Sequence, residues 1–177
     1  LLASMARQPE RAHLVGAYGL GKTQRVIKLA REAGYDRPIY LHGALVELCA
    51  LYQRLGVDLG ELRPATSDKH EAFAGALVLC PPSSTDDRWS RRFPDPVTAF
   101  ASGWMRIKGR IRQSGVELPL VISDHADWPE LLDTIVETGT EDVWVTHGRD
   151  DALVYQLGLM GRKARALSLV GFEDEGE

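Results

Sequence analysis

Residues 16 to 23 read Gly-Ala-Tyr-Gly-Leu-Gly-Lys-Thr, a spacing that satisfies the phosphate-loop pattern G-x-x-x-x-G-K-[ST]. In that pattern backbone N–H groups and a lysine meet phosphate oxygens, so the first chemistry to weigh is binding and hydrolysis of ATP or GTP. An apolar stretch before Gly16 and a helical stretch after Lys22 agree with it. So does "LPLVISD", an apolar run ending on Asp124 where a magnesium-holding aspartate would stand. Two other clusters point elsewhere. Ser123-Asp124-His125-Ala126-Asp127 and Thr146-His147-Gly148 gather histidine and carboxylate, the residue types that divalent-metal hydrolysis needs. Nucleotide hydrolysis leaves those histidines unexplained.

All of these residues come just after short apolar runs. Strands are predicted at 12–16, 37–41, 76–80, 97–101, 118–122, 142–146 and 164–170, and helices at 20–33, 43–55, 129–138 and 149–159. The alternation predicts an α/β fold, a mostly parallel sheet flanked by helices. The stretch 63–75, "RPATSDKHEAFAG", reads as a loop. In open parallel sheets ligands gather at the carboxyl ends of the strands. Those ends lead into "GAYGLGKT", "CPPSS", "ASGWM", "SDHADW" and "THG", rich in small, hydroxylic and ionisable residues. If the strands ending near 122 and 146 are parallel neighbours, His125 and His147 leave the sheet on the same edge.

The formal net charge of −4 conceals a division. Residues 1–113 carry 17 Lys and Arg against 11 Asp and Glu, whereas 114–177 carry 4 against 14. Between 88 and 112, Arg88, Arg91, Arg92, Arg106, Lys108, Arg110 and Arg112 face only Asp95, a density able to neutralise several phosphates or simply to form a solvated face. No apolar run reaches membrane-spanning length. Cys49 and Cys80 lie in separate apolar stretches without C-x-x-C spacing, as reduced buried thiols of a cytoplasmic protein would. The chain begins at Leu1 rather than Met, and a piece of a longer protein is expected.

The order "GAYGLGKTQRV", "LCPPSS", "FASGWMR", "VISDHADW", "WVTHG" resembles the C-terminal part of metallo-β-lactamase-fold nucleases that carry a β-CASP insert. The resemblance is nearest to the bacterial DNA exonucleases associated with ATP-dependent DNA ligases; Artemis-type repair nucleases show the same landmarks in the same order. It implies a β-CASP-like domain at 1–113, followed at 114–177 by the C-terminal strands and helices of a metallo-β-lactamase αββα domain. It also implies a zinc-dependent exonuclease acting in DNA repair and end processing, with two Zn2+ ions in the full-length protein. The expected partners are DNA, with RNA left open, and functionally an ATP-dependent DNA ligase.

Carried over by position, His125 matches the β-CASP motif B histidine, proposed in the family as general acid for the leaving oxygen, and His147 matches a zinc ligand. Asp124 and Asp127 flank His125, and either could orient its imidazole. Ser83, Ser102 and Ser123 fall in turns resembling the phosphate-handling turns of the family, and Tyr18 and Lys22 fall in its G-x-Y-x-x-G-K turn. Arg91, Arg92, Arg106 and Arg110 would hold the nucleic-acid backbone. The family's upstream H-x-H-x-D-H stretch is not among the five histidines here, His13, His42, His70, His125 and His147, so this chain alone is expected to bind zinc weakly and to cleave nothing. Two readings stay beside this one: a phosphate-loop nucleotide hydrolase and a non-catalytic nucleic-acid-binding fragment. His42 reads as structural, His13 and His70 as structural or exposed, Trp104 as a packing anchor for its turn in preference to a base-stacking residue, and Trp89, Trp128 and Trp144 as core.

Overall fold

In the stretch His13–Gly16 every residue is buried, the mark of a parallel strand covered on both faces. A computed structural model of the chain, which describes residues 1–66, 73–93, 95–146 and 150–167, makes this strand, β1, the centre of a sheet. The others are β2 (Ile39–Leu41), β3 (Leu62–Pro64), β4 (Leu77–Cys80), β5 (Val97–Ala101) and β6 (Leu118–Leu120). Their order is β3-β2-β4-β1-β5-β6, and every neighbouring pair is parallel. The α/β class with a mostly parallel sheet flanked by helices is therefore what forms.

Alternate side chains along a strand point to opposite faces, and the two cores sort accordingly. Val15, Ile39, Leu41, Leu77 and Leu79 join Val26, Ile27 and Ala30 of helix α2 (Lys22–Glu32) and Leu45 and Cys49 of α3 (Gly43–Arg54) in one cluster. Leu14, Tyr40, Val78 and Cys80 join Phe73 and Phe93 in the other, with Trp89 packed against it. The ends of the sheet are held by charge as well. The guanidinium of Arg11, just before β1, donates to both carboxylate oxygens of Glu117, just before β6, at 3.0 and 2.8 Å, and this holds the Glu117 carboxyl below its ordinary pKa.

Three elements depart from the predicted set. Leu62–Pro64 is a strand rather than loop; it lies at the sheet edge, where a proline without an N–H is tolerated and no burial alternation marks the run. Helices α1 (Leu2–Arg7) and α4 (Lys108–Ser114) are additions to it; both are short, and α4 buries no residue, so it carries no apolar stripe to read. Strand β6 stops two residues early because Ile122 N donates back to Leu120 O at 2.9 Å.

The chain divides into two compact units, Leu1–Asp124, described above, and His125–Glu177. The second unit holds α5 (Trp128–Glu137), β7 (Asp142–Val145), α6 (Asp150–Leu159) and β8 (Lys163–Ala166), with β7 and β8 parallel. Its described part buries two large apolar residues, Val145 and Leu157. Trp128 and Trp144 are exposed rather than core, and Trp144 instead lies under the Arg165 guanidinium at 4.3 Å. Among the described residues no helix is long and apolar enough to cross a membrane.

Candidate nucleic-acid interface

Parallel register sets the carboxyl ends of the central strands level: Gly16 of β1 pairs with Cys80 of β4 and Phe100 of β5. The turns after β1, β4, β5 and β6 therefore leave the sheet on one edge. These are four of the five turns whose residues suggest chemistry. The fifth contains His147 and Gly148, which lie outside the described residues, as does His70.

The turn after β1 is tied down by close backbone approaches and by the side chains of Lys22, Thr23 and Gln24, although Gln24 Oε1 is buried without a partner among the described residues. A Cβ on Gly16 would lie 2.9 Å from Thr85 Cγ2 and 3.2 Å from Pro82 Cα, so the first glycine lets the Pro-Ser turn after β4 press against β1. Gly21 has φ +77°, and a Cβ there would meet Asp124 Oδ2 at 2.9 Å; glycine serves both the conformation and the close approach. The Lys22 side chain is 5% exposed, with Nζ 3.0 Å from Asp124 Oδ1 and 5.1 Å from the centre of the Tyr18 ring. The Thr23 hydroxyl, fully buried, donates to Tyr18 O at 2.8 Å, and Gln24 Nε2 donates to Gly19 O at 3.0 Å. Lysine and threonine, the two side chains a nucleotide loop would turn to phosphate and magnesium, are here closed onto the protein. The tip of the turn is open: Tyr18 and Leu20 are exposed.

The turn after β4 is a 3-10 turn, Pro82–Ser84, in which Ser84 is buried and Ser83 exposed. The turn after β5 begins at Ser102, whose buried hydroxyl accepts from Trp104 N at 3.2 Å and caps the 3-10 turn Gly103–Arg106. Gly103 backs onto the turn after β6, where a Cβ would touch the Ser123 side chain at 3.4 Å. Ser123 and Asp124 are half-buried. The structure thus brings together Tyr18, Lys22, Ser83, Ser102, Ser123 and Asp124 along one edge, joined pairwise through Gly16 with Thr85, Lys22 with Asp124, and Gly103 with Ser123.

The basic residues fall into two kinds. Arg92 is half-buried, with its guanidinium 5.0 Å from the Trp89 ring centre and donating to Trp89 O and Ala65 O, so it closes the protein's own surface. Arg88, Arg91, Arg106, Lys108, Arg110 and Arg112 are exposed or nearly so, with Arg106, Lys108, Arg110 and Arg112 on the turn after β5 and on α4. Arg110 lies 5.3 Å from the centre of the Trp104 ring. Trp104 is 61% exposed, so it is not the packing anchor its sequence context suggests; buried Ser102 and Met105 on either side anchor that turn instead.

In the second unit His125 is exposed. Asp127 is the N-cap of α5: Oδ1 accepts from Glu130 N at 3.0 Å while the Glu130 carboxylate accepts from Asp127 N at 3.1 Å, a reciprocal capping box. Among the described residues no group of three His, Cys, Asp or Glu side chains converges as a metal site. The described donors therefore do not by themselves fit a pair of zinc ions.

The remaining described histidines and the thiols are structural. His13 is fully buried with Nε2 2.9 Å from Ser4 Oγ, and burial pushes its pKa down. His42 accepts from Ala44 N at 3.1 Å as the cap of α3 and sits edge-on to Trp89, its pKa likewise lowered by burial. Burial pushes the Cys80 thiol up to about 12 and raises that of Cys49. Lys108 and Arg112 join the exposed basic face without having stood out in sequence as backbone contacts. The signal available is the complete lack of Asp and Glu from 96 to 116.

No protein-family profile matches the chain, and no solved structure matches it. It is 28% identical over 150 residues to a protein of Opitutus terrae named "Probable DNA ligase". The matched region is 85% of this chain but 14% of that protein. The similarity is thus to a small part of a protein named for acting on DNA.

Proposed function

We propose that the chain is the C-terminal part of a zinc-dependent DNA exonuclease that hydrolyses phosphodiester bonds in end processing, with a β-CASP-like portion at 1–113 and the end of a metallo-β-lactamase domain at 114–177. The observation that carries this reading is the gathering of four landmark turns on one sheet edge beside exposed basic residues, with Lys22–Asp124 and Gly103–Ser123 contacts joining them. Similarity to part of a protein named as a DNA ligase supports DNA as the polymer and an ATP-dependent DNA ligase as functional associate. The cytoplasm is the compartment this reading expects.

On this reading exposed Tyr18 and Ser83 meet phosphate, while Lys22, Ser102 and Ser123 hold the turns that do so. Arg91, Arg106 and Arg110 lie along the nucleic-acid backbone, and Arg92 orders the surface beneath them. Hydrolysis needs a proton for the departing oxygen, which an exposed histidine such as His125 is suited to give; Asp124 and Asp127 are the carboxylates on either side of it in the chain. His147 is the residue of this chain proposed as a zinc ligand. Zinc would polarise the phosphoryl group, but most of its ligands would have to come from elsewhere in a longer protein. The chain alone is expected neither to retain zinc nor to cut DNA.

The test uses the protein together with its natural upstream coding sequence. Zinc should copurify, and exonuclease activity should vanish in His147→Ala and fall steeply in His125→Ala. Micromolar ATP binding abolished by Lys22→Ala would overturn the reading in favour of a nucleotide hydrolase, which the internal bond of the Thr23 hydroxyl disfavours. A second reading, a non-catalytic nucleic-acid-binding fragment, is supported by the exposed basic residues of α4, which bind a polyanion without needing a metal. It predicts salt-sensitive DNA binding that survives loss of both histidines, with no cleavage.

A further inference from the structure

Trp104 occupies an unusual position for the largest apolar side chain. It is 61% exposed, although burying such a ring is strongly favourable. Its backbone is nevertheless fixed: Ser102 caps the turn, Met105 is buried, and Gly103 rests on Ser123. One side of the ring is occupied by the Arg110 guanidinium at 5.3 Å. Arg106 lies on the same turn and Lys108, Arg110 and Arg112 on α4, which follows it, all exposed, and none forms an ion pair with a carboxylate among the described residues. An open aromatic face backed by a cation, on a turn that leads into an exposed basic helix, has the two features that hold an unpaired nucleotide: a surface for its base and charge for its phosphates.

A second exposed ring strengthens the assignment. Tyr18 is 58% exposed at the tip of the turn after β1, and β1 and β5 are adjacent parallel strands, so both turns leave the same edge from strands about 4.8 Å apart. Bases in a duplex are stacked on one another and offer no free face, whereas bases of a single strand do. We propose that Trp104, braced by Arg110, is a stacking platform for an unpaired nucleobase, and that the substrate class of this edge is single-stranded nucleic acid or a frayed strand end. This rests on the nucleic-acid reading above and adds the strand preference to it.

The experiment is fluorescence anisotropy on the whole chain with three labelled probes of equal length: an oligothymidylate of about 20 nucleotides, its blunt duplex with oligoadenylate, and a single strand of abasic residues. Trp104→Ala should weaken oligothymidylate binding roughly ten-fold, leave the abasic strand unaffected and change duplex binding little. Trp104→Phe should recover most of the loss. Because Trp104 is exposed, the Trp104→Ala variant is expected to keep the thermal unfolding of the wild type, and Trp104→Gln, which keeps side-chain bulk but has no ring, carries the same test if it does not. Equal binding of oligothymidylate by wild type and variant, or an equal loss on the abasic strand, overturns the platform while leaving the nucleic-acid reading intact. Failure of the wild type to bind any of the three probes overturns both.

Discussion

The turn after β1 and the turn after β5 leave the same edge of the sheet, yet their polar groups are disposed in opposite ways. On the β1 side Lys22, Thr23 and Gln24 Nε2 each have a partner inside the protein, and the motif that looks most like a ligand site is a set of internal ties. On the β5 side Trp104 is exposed, with the Arg110 guanidinium against its ring, and the cations of α4 have no carboxylate partner among the described residues. A residue pattern reports what groups are present, not what they face. The motif-poor turn is therefore the one with free capacity for a polyanion, and the motif-rich one supplies the rigidity behind it.

The sharpest way to break this contrast is to cut the tie at Lys22. Asp124→Ala leaves a buried ammonium without its counter-charge, which should destabilise the first unit by about 3 kcal/mol, read by urea unfolding. Adding Lys22→Met should restore most of that stability, because an apolar side chain of similar length needs no partner. An Asp124→Ala variant as stable as the wild type would show that the Lys22–Asp124 pair is not what holds the two turns together.

The α4 side should behave in the reverse manner. Replacing Arg106, Lys108 and Arg112 together by glutamine should change unfolding by no more than about 0.5 kcal/mol per site, since these side chains are exposed and have no ion-pair partner among the described residues. Binding of single-stranded DNA should weaken, and its dependence on log salt concentration should flatten by about 2, near 0.7 for each phosphate no longer neutralised. An unchanged salt slope would move the polyanion site away from α4.

The same division decides how much of the molecule is legible in sequence. Strands β1, β2, β4, β5 and β6 show as apolar runs because they are buried on one or both faces, and their parallel order correctly implies that the turns after them share an edge. Edge strand β3 and helix α4 do not show, because neither carries the burial periodicity that a sequence reading detects. The charge between 88 and 112 is visible, but not its split into Arg92, which closes onto Trp89, and the open cations of α4. Lys22 and Asp124 lie far apart in sequence, and nothing local tells a lysine in a glycine turn that its partner is internal. Trp104 misleads for a related reason: composition favours burying tryptophan, while only the fold shows that Met105, its neighbour, takes the buried place.

The smallest effect expected concerns His13, which belongs to the closed side of the comparison. It lies in β1, fully buried and bonded to Ser4, with its pKa lowered because burial disfavours the imidazolium. The unfolded chain takes up a proton at this residue as pH falls below about 6.5, while the folded chain resists doing so. Stability is therefore greatest above that pH and declines as pH falls toward the lowered folded pKa. The loss from this residue between pH 7 and pH 6 is bounded at about 0.7 kcal/mol, the limit reached when the folded imidazole takes up no proton, with a further contribution from His42, lowered for the same reason. Urea unfolding at the two pH values should show the decline, and His13→Gln should reduce it whatever its own effect on stability at pH 7. If His13→Gln keeps the full pH dependence, the proton uptake lies elsewhere, and β1 is less closed to solvent than its burial indicates.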